Sequence, residues 1–125
     1  MFTGPLRLEV AGPDLWMVVD EPLVWVDGDT RVSVPVGFVT DLASIPRALR
    51  GLLDINGRSR RPAMAHDWMY TSQPFPREQC DEIFRKALIA EGESEEAAWI
   101  YWEGVRIGGA SHWDRKSTAQ ADCKT

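Results

Sequence analysis

The 125-residue chain predicts an α+β domain, a small antiparallel sheet from the N-terminal half packed with about three C-terminal helices. Three observations carry this. Short β-branched and aromatic runs broken by Gly, Pro and Asp fill the first half. From Pro62 onward the apolar spacing changes to helical. Neither an internal repeat nor a low-complexity linker divides the chain, and 44% apolar content suffices for one core. We therefore expect one domain over residues 1–109 and a polar, mobile tail over 110–125.

The runs "LRLEV", "LWMVV", "LVWV" and "RVSVPV" read as three or four antiparallel strands, with "DGDT" as the hairpin turn before the last. Met64, Ala65, Trp68 and Met69 recur at helical spacing behind Pro62, which suits a first turn. A second helix starts near Pro76, with Glu78 in its first turn, and ends at Gly92 as a C-cap. A third opens at Ser94, whose hydroxyl caps free amides while Glu95 and Glu96 favour the positive dipole end, and runs to about Gly108. On it Trp99, Tyr101, Trp102 and Val105 wrap more than one face, so some aromatic area should cover the sheet and some should remain for a partner. After Gly109 the sequence is polar with little periodicity, His112 and Trp113 excepted.

A net charge of −5 and a pI near 5.0 argue against broad attraction to nucleic acid or anionic membrane. The basic run Arg58–Arg61 reads as a solvated loop. Cys80 falls in a helical pattern and Cys123 in the tail, which predicts neither a disulfide framework nor a Cys-type zinc site. The first ten residues lack a basic segment followed by an apolar one, and no apolar run reaches the roughly 18 residues of a membrane span. The expected site of synthesis is the cytoplasm.

Polar residues among core positions locate the chemistry. His66 and Tyr70, four apart, share one helix face. Asp81 shares a stripe with Phe84 and Leu88, which puts a carboxylate where core residues belong. A buried carboxylate needs a donor, and His66, Tyr70, Arg77 and Arg106 are the candidates. An imidazole held by Asp81 has its tautomer fixed and its other nitrogen available for a water proton or a metal. Asp41 and Asp67 offer hard oxygen ligands for a divalent ion, calcium or zinc. Thr40 and Ser44 in "TDLASIP" are supporting hydroxyls, Ser44 being read as a loop hydrogen-bonder because it lacks the Gly-x-Ser-x-Gly turn. In the plainer alternative Asp41 caps "ASIPRALR", His66 is a satisfied core histidine and its pairing with Asp81 fixes helix register.

The ordered stretches "VGFVTDLASIP", "HDWMY", "REQCDEIF" and "GVRIGG" resemble a family of short uncharacterised phage and prophage proteins with the pattern GFxTDxASIP, HDxxY, RxxxDxxF and VRxxG. That resemblance spans about Val34 to Gly108 and implies a phage or phage-derived particle protein, with no reaction attached. "HDWMY" followed by Asp81 also resembles, over these few positions, the HDxxY and distal Asp arrangement of phospholipase A2 enzymes. This second resemblance implies His66 as general base for water, Asp67 as calcium ligand, and Tyr70 with Asp81 as support for His66. The Gly-rich calcium loop and disulfides of many such enzymes are absent from the chain.

The sequence thus leads first to a phage-associated His-Asp hydrolase that uses water and a divalent metal against a host-envelope component. Its rivals are a non-catalytic virion or tail component, with a buried His-Asp network and aromatics docked on neighbouring particle proteins, and a cytoplasmic assembly factor.

Overall fold

The computed structural model describes residues 1–13, 15–46, 48, 49 and 57–124, with side chains described as far as residue 117. Among the described residues these elements follow in order: β1 (Phe2–Thr3), β2 (Leu8–Gly12), β3 (Leu15–Val18), β4 (Leu23–Asp27), β5 (Thr30–Val34), β6 (Val39–Thr40), α1 (Arg60–Ser72), α2 (Arg77–Ala90), α3 (Glu95–Gly108) and α4 (Ala110–Lys124). The class is α+β. The strands form two antiparallel three-stranded sheets, in the orders β1-β4-β5 and β2-β3-β6. Two short strands invisible to a periodicity reading, β1 and β6, complete these sheets, because two residues cannot display an alternation.

The β4–β5 hairpin closes where "DGDT" predicts, with Asp27 opposite Thr30 and Gly28 at a left-handed φ of 59°. Its apolar alternation puts Leu23, Trp25, Val32 and Val34 into the core. In the second sheet Trp16 pairs with Thr40, so β6 delivers the start of the "TDLASIP" loop to the domain centre.

Helix α1 lies at that centre, touching β4 and β5 as well as α2 and α4. Eight of its residues are buried, from Pro62 to Tyr70, which explains its weak amphipathicity: a helix covered on most sides has little polar face to show. It begins two residues before Pro62, with Ser59 at the N-cap position. Arg58 and Arg60 of the basic run are exposed, while Arg61 is structural. Arg61 donates to the Gly4 carbonyl at 2.9 Å, pairs with Glu91 and lies 5.4 Å from the Phe2 ring centroid, so it ties the N-terminus and the end of α2 to α1.

Helix α2 ends in a Schellman arrangement, Glu93 N–H bonding to the Leu88 carbonyl and Gly92 N–H to that of Ile89, with Gly92 at φ 104°. Helix α3 starts as its sequence predicts: the Ser94 hydroxyl accepts from Ala97 N–H at 3.1 Å. The polar segment after Gly109 is helical as α4, although its periodicity is poor. Its docking rests on Trp113, which meets the Tyr70 ring edge-on at 5.1 Å, and on Gln73, which donates to the Trp113 carbonyl and accepts from Ser117. One aromatic anchor and one amide clamp leave no sequence period to read. Among the described residues no helix is long and apolar enough to cross a membrane.

Candidate functional site

Asp81 on α2 is fully buried and stands at the hub of a polar network. Its Oδ1 accepts from His66 Nε2 and from the Tyr70 hydroxyl, each at 2.7 Å, and its Oδ2 accepts from Arg106 at 2.8 Å. The four-residue spacing of His66 and Tyr70 is what lets both reach one oxygen. Arg77 joins through Tyr70, its Nε donating to the phenol oxygen at 3.2 Å. The Arg77 guanidinium also donates to the carbonyls of Val105 and Arg106, placing a cation at the negative end of α3. All four donors expected for Asp81 are thus present, three directly and one at second remove.

Electrostatics follow from that geometry. Burial alone would raise the Asp81 carboxyl, but hydrogen bonds and charge from His66, with further hydrogen bonds from Tyr70 and Arg106, hold it below the usual carboxylate range. Burial and then the Asp81 anion push the Tyr70 phenol up, so Tyr70 stays protonated and donating. Cys80, fully buried beside this carboxylate, is pushed up to about 12 by burial first and Asp81 second. It is a core thiol rather than a nucleophile.

The loop after β6 closes on the opposite edge of the imidazole. Ser44 Oγ lies 3.0 Å from His66 Nδ1. With Nε2 turned to Asp81 and Nδ1 to the Ser44 hydroxyl, both ring nitrogens are engaged. Asp67, next to His66 on α1, accepts from the Thr40 hydroxyl at Oδ2 and from Ser44 N–H at 3.3 Å at Oδ1. Thr40 Oγ1 in turn accepts from Leu42 N–H at 2.9 Å, which holds Leu42 at a left-handed φ of 61°. Asp41 is exposed and accepts from Ala43 N–H at 2.9 Å, a local turn bond; part of the "ASIPRALR" segment expected beyond it lies outside the described residues.

Both oxygens of Asp67 therefore serve the loop. Among the described residues no group of three or more His, Cys, Asp or Glu is placed to hold a metal ion. Asp41 forms a local turn, and Asp67 clamps the loop to α1.

Residues 16–105 match the model of a family described as a protein of unknown function, DUF1353. The chain belongs to that family. The DUF1353 match takes in Thr40, Ser44, His66, Asp67, Tyr70, Arg77 and Asp81, while Arg106 and α4 fall just beyond it. No curated protein and no solved structure matches the chain.

Three contributors were not legible as such. Phe84 covers the imidazole with ring centroids 4.6 Å apart. Gly109 leaves room for the Tyr70 hydroxyl, which would stand 2.7 Å from a Cβ at that position. His112 of α4 has its Nε2 buried without a hydrogen bond, 3.9 Å from Asp67 Oδ1. Burial first, with the charges of Lys116 and Arg115, lowers the His112 pKa against the opposing charges of Asp67 and Asp41. The folded chain then takes up this proton less readily than the unfolded one. Stability is expected to fall as pH drops below the ordinary histidine value of 6.5, with no such effect above it. His112→Gln should flatten that part of the profile in urea melts between pH 5 and 8; an unchanged slope would remove His112 as its source.

Proposed function

We propose that the chain is a non-catalytic structural component of a phage or phage-derived particle, and that its His-Asp network is a core device holding the "TDLASIP" loop, α1, α2 and α3 together. One observation carries the non-catalytic part: His66 and Asp81 are both 0% exposed, and both imidazole nitrogens are engaged. A general base needs a nitrogen that water or substrate can reach. The particle assignment is supported by the ordered motif pattern shared with short phage and prophage proteins.

A His-Asp hydrolase is the second reading, and one feature favours it. Ser44, His66 and Asp81 line up as hydroxyl, imidazole and carboxylate, the order of a charge-assisted nucleophile. Against it, Ser44 is itself buried and the loop amides are taken: Leu42 N–H by Thr40, Ala43 by Asp41, Ser44 by Asp67 and Ile45 by the Leu42 carbonyl. None of these four amides is left to stabilise the oxyanion of a substrate carbonyl attacked by Ser44.

Quantitative mass spectrometry of purified particles, beside a screen of lipid, peptidoglycan and phosphodiester substrates, separates the readings. The expected result is a fixed copy number per particle and no hydrolysis. Hydrolysis that vanishes in Ser44→Ala without a change in melting would establish the enzyme, and absence from mature particles would point to an assembly factor.

A further inference from the structure

Helix α3 is apolar on two opposite sides. Ala98, Tyr101 and Val105 face the core and are buried. On the far side Trp99 is 52% exposed, Ile100 49% and Ile107 79%. Trp99, Glu103 and Ile107 follow one another at four-residue spacing, as do Glu96 and Ile100 beside them, so the five residues form one continuous stripe. Glu95, Glu96, Trp99 and Ile100 line a groove at its N-terminal end. A solvent-facing helix ordinarily carries polar residues there, and three large exposed apolar side chains interleaved with two glutamates mark an interaction surface.

We infer that this stripe docks a basic amphipathic helix of another protein, its apolar residues meeting Trp99 and Ile107 and its Lys or Arg residues meeting Glu96 and Glu103. The charges of the stripe itself are all negative, which selects a cationic partner. Two copies of the stripe would bring four glutamates and no facing cation together, so a second copy offers no such pairing. Trp99 and Ile107 are separated by roughly 12 Å along the axis, a span two turns of a partner helix cover. The inference deepens the structural role proposed above, and rests on it, by naming the face and chemistry through which the chain would join its neighbours.

The test uses synthetic amphipathic helices of roughly five turns, one of Leu and Lys and one of Leu and Glu, titrated into the full chain by NMR and calorimetry. The Leu/Lys helix should bind, with shifts centred on Trp99, Ile100 and Ile107, and the Leu/Glu helix should not. Ile107→Glu, at an exposed position, should weaken binding by roughly tenfold or more. The double variant Glu96→Lys, Glu103→Lys should reverse the preference. Binding of neither helix, equal binding of both, shifts elsewhere on the surface, or a concentration-dependent dimer abolished by Ile107→Glu would each overturn the inference. These failures leave the particle role intact, whereas hydrolysis dependent on Ser44 would overturn that role and not the peptide result.

Discussion

Asp81→Asn is expected to destabilise the domain by about 3 kcal/mol, the low end of what breaking a buried ion pair costs. The substitution keeps the shape and still offers one oxygen to His66 and Tyr70, but it turns an amide donor or an uncharged oxygen toward Arg106. Arg106 is 28% exposed, so water relieves part of the loss and the upper end of the range is not reached. Against a total stability of about 5–15 kcal/mol this remains a large fraction. Its pH dependence identifies the cause. The Asp81 carboxyl is depressed in the folded state, so its contribution is complete above the ordinary value of 3.8 and is lost as pH falls below that toward the folded value. Denaturant melts of wild type and variant should therefore differ most near neutrality and converge in acid. A gap that stays constant down to pH 3 would show that packing, rather than the carboxylate charge, sets the effect.

The partners of Asp81 were legible in the sequence because they obey helical arithmetic. A carboxylate on the stripe of Phe84 and Leu88 demands donors, and His66 with Tyr70 on a neighbouring helix face supplies them. Caps were legible for the same reason, Ser94 and Gly92 each having one backbone task that few residues perform. What the sequence did not settle is where the open space lies. "HDWMY" reads equally well as a catalytic face and as a core stripe, and only the covering by Ser44, Phe84 and Trp113 tells the two apart. Those groups come from the loop, α2 and α4, contacts with no fixed spacing in the chain. The roles of Asp41 and Asp67 have two readings for a related reason. Two acidic residues near a histidine suggest a cation, but a carboxylate flanking a loop of free amides is equally a hydrogen-bond acceptor for them.

Asp67→Ala puts that last distinction to measurement. Removing the carboxylate leaves the Thr40 hydroxyl and Ser44 N–H without their acceptor in a buried setting, and hydrogen bonds to a charged group are worth about 1.5–3 kcal/mol each. The two share one acceptor group, so they are not additive, and a total loss of about 3 kcal/mol is expected. Asp67→Asn should lose less, since an amide oxygen still serves Ser44 N–H while its NH2 group faces Thr40. The damage should also spread in a defined direction. With Asp67 gone the loop no longer holds Ser44 against His66 Nδ1, so amide exchange should quicken at Leu42, Ala43 and Ser44 before it does so in α2. Metal ligation makes the opposite forecast: the wild type would gain stability on adding calcium or zinc and Asp67→Ala would lose that gain while changing little in a chelator. Equal melting of the two proteins in chelator, together with a metal-dependent rise only in the wild type, would return Asp67 to the role of ligand; a large deficit in chelator fixes it as the clamp that seats the loop on α1.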